Sequence, residues 1–297
     1  PNYQYISLED LDSRERARED PRRFLGSFKK GVILDEAQQA PELFSYIQTI
    51  VDASKQMGQF VLTGSQNFLL LEKISQSLAG RVAVLHLLPF SLEELSKTKY
   101  GKSSLDNFLF TGMYPAIYDR KIDPQTWHSN YITTYIERDV RQIKQVGDLG
   151  TFQKFMRLCA GRSGQLLNLS ELGNECGVTH ITAKSWLSVL QASFIVFLLE
   201  PYHRNFNKRI TKQSKLYFYD TGLLCALLGI QTASQMRHYY YRGAIFETFM
   251  ISELIKMACH RGIQPKGYFW RDHRGNEIDY VMEYDDGFIP VEMKSGE

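Results

Sequence analysis

Asp35 and Glu36, at the end of the apolar run Val32-Ile33-Leu34, are the residues of this chain best placed to do chemistry. Three apolar residues after Gly31 read as a buried strand, and the two acids stand where that strand would emerge. An acid in that place can hold Mg²⁺ beside a phosphate, and its neighbour can polarise an attacking water. A second apolar run, Phe60 to Leu62, ends in Thr63-Gly64-Ser65, which brings Ser65 to the same edge as a group able to sense or orient a γ-phosphate. Arg81, after Ser77-Leu78-Ala79-Gly80, offers the cation that phosphoryl transfer uses. The plainer reading is that an acid pair at a strand end only caps the next helix. A phosphate-cradling loop of the form G-x-x-x-x-G-K-[ST] occurs nowhere in the 297 residues. Because the chain opens on Pro1 and a strand-like run, Tyr3 to Leu8, it is expected to be a fragment whose upstream segment carries that loop.

The elements that would position these groups follow from periodicity. Pro41 opens a helical stretch through Val51 with Leu43, Ile47, Ile50 and Val51 on one face. Val82 to Leu88 reads as a further strand, and Pro89-Phe90-Ser91 with Glu94 as a capping-box entry to the next helix. This strand–helix rhythm predicts a parallel α/β sheet, in which polar side chains at adjacent strand ends converge on one edge. Ser103 to Val146 looks helical, with Trp127 to Ile143 as the longest periodic stretch.

Composition sets the bounds. A mass of 34.4 kDa is room for roughly two domains. An apolar share of 43% and a charged share of 23% are those of a soluble globular protein. No apolar run approaches the ~20 residues of a membrane helix, so no membrane partner is expected. The four cysteines are scattered, with no C-x-x-C pair, and read as reduced thiols of a cytoplasmic protein. A net charge of +2 decides nothing about partners; the placement of basic residues does.

VILDEAQQAPELF, VLTGSQNFLL, SLAGRV and PFSLEEL, in this order, resemble the core of a widespread prokaryotic AAA-type (P-loop) ATPase family whose members carry a C-terminal domain of unassigned function. The resemblance continues through YIERDVRQI, GQLLNLSELG, KLYFYDTGLLCALLG, GAIFETFMISEL and EIDYV…PVEMKSG, nearly the whole chain. It implies ATP and Mg²⁺ as cofactors. It also implies Asp35 as the metal-binding acid, Glu36 as the water-activating acid, Ser65 at a sensor position and Arg81 as an arginine finger or sensor. Without the phosphate loop, the 297 residues alone are not expected to bind ATP tightly.

The middle of the chain carries a different signal. Leu169 to Cys176 reads as a short helix, Gly177-Val178 as a turn and Thr179 to about Ser193 as a second helix, which is a helix-turn-helix pattern. Ala183, Trp186, Leu187 and Leu190 form its buried stripe, opposite His180, Lys184, Ser188 and Gln191. Phe194 to Leu199 and Lys215 to Tyr219 would complete a winged helix. The loop between them holds Arg204, Lys208, Arg209 and Lys212 without an acid, and Lys215 extends the run. A basic wing suits DNA phosphates, with Thr179, His180, Thr182 and Lys184 facing the groove. The alternative is a packing or dimerisation module with a solvated loop.

In the last segment Glu277 to Glu283 alternates as a strand, Asp285-Asp286-Gly287 turns, and Phe288 to Lys294 returns. Asp279 and Glu292 would face one another, with Lys294 on the same face as Glu292. Such a group can bind a divalent metal and polarise a water for phosphodiester attack, although alternating charge is also ordinary on a solvated hairpin. With the preceding helix and its Glu247, the arrangement resembles a PD-(D/E)XK nuclease core. That resemblance implies Asp279, Glu292 and Glu247 as metal ligands and Lys294 as the residue orienting the nucleophile. Elsewhere, Glu137-Arg138-Asp139-Val140-Arg141 reads as intrahelical pairing or a reach to a neighbouring subunit, and Tyr239-Tyr240-Tyr241 as a packed aromatic cluster.

The expected organisation is an AAA-type core over 1–100, a helical linker over 101–160, a winged helix over 161–222 and a nuclease-like α/β domain over 223–297. The expected function is that of an ATPase acting on DNA, with homo-oligomerisation left open. The alternative is a non-catalytic regulator that binds DNA or protein and keeps a degenerate nuclease fold.

Overall fold

The computed structural model describes residues 3–54, 56–64, 77–136, 148–203, 213–284 and 287–296. The chain divides into two compact units, residues 1–84 and 85–297.

The first unit is a small parallel sheet with helices. Its strands are β1 (Gln4–Ser7), β2 (Val32–Asp35) and β3 (Phe60–Leu62), in the order β1-β2-β3. Parallel register sets Ser7 beside Asp35 and Leu34 beside Leu62, so all three strands end at one edge. The helices are α1 (Leu11–Glu19), α2 (Pro21–Gly26) and α3 (Leu43–Ala53). Asp10 and Asp20 cap the first two by accepting the N–H of Ser13 and Arg23. Val32 and Leu34 are fully buried against Leu43, Phe44 and Ile47 of α3. Each such side chain contributes about 1.5–3 kcal/mol. The strand expected over Val82–Leu88 is not formed: residues 82–88 lie outside any ladder, and Leu85 and Leu87 are 78% and 93% exposed. Apolar alternation is enough to suggest a strand, but a strand needs a hydrogen-bonded neighbour, and this run has none among the described residues.

The second unit begins with α4 (Leu92–Ser96), entered through the expected capping box of Ser91 and Glu94. The helical stretch that follows is broken at Pro115 and Pro124 into α5 (Leu105–Thr111), α6 (Pro115–Arg120) and α7 (Pro124–Tyr131). Each proline opens a helix, where its missing N–H is not needed. Next come α8 (Leu149–Ala160), α9 (Leu169–Cys176) and α10 (His180–Ala192). Asn168 caps α9, Gly177 ends it at φ 76°, and Thr179 caps α10. Strands β4 (Val196–Leu199) and β5 (Lys215–Phe218) pair antiparallel, Val196 opposite Phe218. They are followed by α11 (Thr221–Leu227), α12 (Ala233–His238) and the long α13 (Arg242–His260). An antiparallel sheet of β6 (Gly267–Arg271), β7 (Glu277–Tyr284) and β8 (Gly287–Val291) closes the unit. One hydrophobic cluster runs from Leu95 through Phe152, Trp186 and Leu216 to Phe249. All four cysteines are free thiols, and burial pushes those of Cys159 and Cys225 up. Among the described residues no helix is long and apolar enough to cross a membrane.

Candidate functional site

At the carboxyl edge of the parallel sheet, Asp35 is held by two hydroxyls from the flanking strands. The Tyr5 hydroxyl donates to Asp35 Oδ2 at 2.6 Å, and the Thr63 hydroxyl donates to Oδ1. Thr63 is brought there by the ladder itself: its N–H donates to the Leu34 carbonyl at 3.0 Å, and its carbonyl accepts the Ala37 N–H at 2.9 Å. The Thr63 and Tyr5 hydrogen bonds hold the Asp35 carboxyl below its ordinary range, against a smaller opposing effect of burial. Asp35 is therefore an anion at neutral pH.

Glu36 follows in the left-handed region, φ 54°, at a cost of about 1–3 kcal/mol for a residue with a side chain. This turn leads the chain out of β2 and sets the Glu36 carboxylate beside Gln38, whose amide donates to it. Asp35 and Glu36 are both half-buried. An ionised acid with oxygens still able to accept suits Mg²⁺, which is commonly held by one or two carboxylates and phosphate oxygens and keeps part of its water. Arg81 forms a two-point pair with Asp52, at 2.5 and 3.0 Å, and so is committed to that acid. Ser65 lies outside the described residues.

On α10 the expected face is present. Ala183, Trp186, Leu187 and Leu190 are buried, His180, Lys184 and Ser188 are exposed, and Gln191 is half-buried rather than solvent-facing. His180, Lys184 and Ser188 line a cleft of about 400 Å³ with Ser170 and Gln213. The Thr179 hydroxyl caps the helix by accepting the Thr182 N–H at 3.1 Å and lies 3.0 Å from the Thr182 hydroxyl, so these two side chains bind each other first. Arg204, Lys208, Arg209 and Lys212 lie outside the described residues, as do residues 137–147. Lys215 does not extend the basic run. It is only 2% exposed and points into the unit, because all four residues of β5 are buried.

The ammonium of Lys215 lies 3.2 Å from Glu247 Oε1 on α13 and in contact with Glu277 of β7. The Tyr217 hydroxyl donates to the same Glu247 oxygen. Burial raises the Glu247 carboxyl, opposed by Lys215 and by the Tyr217 hydrogen bond, with nearby Asp279 adding to the rise. Burial and the Glu247 charge push the Tyr217 phenol far up. Asp279 accepts the Met293 N–H at 2.8 Å. Glu292 pairs with the exposed Lys294 at 2.6 Å. Glu247, Asp279 and Glu292 are thus engaged separately, and among the described residues no three His, Cys, Asp or Glu side chains are placed to hold a metal. Sequence reasoning overlooked Tyr5, Thr63, Tyr217 and Glu277 as site residues.

Residues 1–96 match the family model of an AAA domain. The match supports an AAA-type ATPase family for this segment, in keeping with its small parallel sheet. Residues 102–234 and 242–297 match two families described as domains of unknown function, DUF8612 and DUF4143. Two uncharacterized mycobacterial proteins, one of Mycobacterium bovis and one of Mycobacterium tuberculosis, are each 30% identical over 89% of this chain and 58% of their own length. The chain therefore spans well under two thirds of these relatives. No solved structure matches it. Within the segment that matches the AAA model, Thr63 carried a faint signal: it precedes a glycine at the end of an apolar run that parallels Val32 to Leu34.

Proposed function

We propose that the AAA domain supplies the acidic half of an ATP-hydrolysing site, completed by a phosphate-binding segment outside these 297 residues. The observation behind this reading is the Asp35 carboxylate, kept ionised between the Tyr5 and Thr63 hydroxyls with Glu36 next in the chain. Asp35 would hold Mg²⁺, and Glu36 would take the proton of the attacking water. When bound, Mg²⁺ neutralises charge on the phosphates. Arg81 contributes only by exchanging Asp52 for phosphate, and Ser65 would orient the γ-phosphate side. The test is ATP turnover by the protein that bears this chain together with its phosphate-binding segment. Glu36→Gln should retain ATP binding and lose turnover by about 10²–10⁴-fold. Undiminished turnover would overturn the assignment.

The second part of the proposal is action on DNA, through α9 and α10 read as a helix-turn-helix and β4 and β5 as its wing. It draws on the exposed His180 and Lys184 beside the cleft. Anisotropy of labelled duplex DNA across a salt series tests it, and Lys184→Ala should reduce the salt slope by about 1. A Lys208→Ala/Arg209→Ala variant examines the wing in the same way. No binding at low salt by the folded protein would turn this surface to protein contacts.

A further inference from the structure

We infer that Lys215 is the built-in cation of the carboxylate cluster in the second unit, and that this cluster takes no divalent metal. The cluster draws on three elements far apart in sequence: Lys215 and Tyr217 from β5, Glu247 from α13, and Glu277 and Asp279 from β7. Glu247 of α13 and Glu277 of β7 meet at one point of the second unit, through the same lysine. The place between them is filled by the ammonium of Lys215, a residue only 2% exposed.

Its surroundings are those of a bound ion. Glu247 Oε1 stands 3.2 Å away, Glu277 Oε1 is in contact, and the face of Phe269 lies 5.6 Å from the nitrogen. The carboxylates supply the anions and the ring supplies its negative face. Tyr217 supplies a further donor to Glu247, so that acid is served by an ammonium and a hydroxyl together. Arg271, at 3.4 Å from Glu277, compensates the other acid from the exposed side. A divalent ion added here would meet a fixed positive charge at contact distance, where water cannot screen the repulsion. It would also have to displace two donors from Glu247. The cluster therefore holds β5, α13 and β7 together as a closed ionic network, and a hydrolytic step through a metal has no place in it. This inference does not depend on the nucleotide site.

The test is Mn²⁺ titration followed by the EPR signal of the free ion, in the full chain carrying Asp35→Asn so that the nucleotide-site acid is silent. With Lys215 intact, the free-ion signal should match that of buffer. In Lys215→Ala the signal should fall as an ion takes the vacated place, and adding Glu277→Gln should restore it. Ion uptake by the Lys215 protein, abolished by Glu247→Gln or Asp279→Asn, would establish a metal centre and overturn the inference. A folded Lys215→Ala that takes up no ion would overturn the claim that the ammonium occupies an ion's place. If Lys215→Ala folds only in the presence of Mn²⁺, the dependence itself supports the inference. If it does not fold at all, Lys215→Arg, which keeps the charge, decides: it should fold and leave the Mn²⁺ signal at its buffer value, and uptake of the ion by it would overturn the inference.

Discussion

The edge of the parallel sheet and the interior of the second unit both gather carboxylates, and they treat the charge in opposite ways. Asp35 is held by neutral hydroxyls, from Tyr5 and Thr63, that favour the ionised form without cancelling it. Glu247 and Glu277 are held by an ammonium that cancels charge on the spot. The first arrangement leaves an anion asking for an external cation; the second has its cation already. Counting acids in a sequence does not separate these cases, because the decisive residue is the donor that faces them.

The largest test of this contrast removes the internal cation. Lys215→Met takes the buried ammonium from the half-buried Glu247 and Glu277, which keep only Tyr217 and Arg271. Losing one side of a fully buried pair costs about 3–5 kcal/mol, the upper bound for this change. Urea unfolding should record that loss. A change near zero would mean the acids take up protons or water easily, and the closed network would lose its meaning.

A smaller effect is expected at the sheet edge. Thr63→Val keeps the shape and removes one hydroxyl from Asp35, and a hydrogen bond to a charged group contributes about 1.5–3 kcal/mol. The Asp35 carboxyl should also titrate higher, readable by carboxyl NMR. If neither moves, Thr63 is a bystander and Tyr5 alone holds the acid.

The two regions should respond to pH with opposite slopes. The Asp35 carboxyl is depressed in the folded protein, so its contribution is present above the unfolded value of about 3.9 and is lost as pH falls through the folded value. The Glu247 carboxyl is raised, so its contribution is present below about 4.3 and is lost as pH rises through the folded value. Relative to the unaltered chain, Asp35→Asn should therefore lose ground as pH rises from acid toward neutral. Glu247→Gln should gain ground over its own range. Equal slopes for the two variants would break the comparison.

What the sequence made legible follows the range of the interactions. α3, the Ser91–Glu94 capping box and the Gly177 turn rest on neighbours within a few residues, and each was readable, whereas Thr179 was read as a groove-facing residue and is a helix cap. Asp35 was readable as a site because an apolar run points to its strand end. Tyr5 and Thr63 are 30 and 28 residues from Asp35, and their roles depend on sheet register, which no local pattern states. Lys215 failed for the same reason: it was grouped with basic neighbours in sequence, while its partner Glu247 lies 32 residues away. Val82–Leu88 had the right residues for a strand but lies in no ladder among the described residues.

The smallest expected effect concerns Arg81, the residue whose role differs most between its present contacts and the proposed chemistry. Its pair with Asp52 raises the guanidinium and lowers the carboxyl, but both groups stand in solvent, where ion pairs contribute little. Arg81→Gln should therefore leave the unfolding midpoint unchanged within error. If Arg81 exchanges Asp52 for phosphate during turnover, the same variant should slow ATP hydrolysis in the protein bearing the phosphate-binding segment. Asp52→Asn, which frees the guanidinium, should not slow it. A matched loss of stability in both variants, with turnover untouched, would make the pair a structural clasp and remove Arg81 from the proposed chemistry.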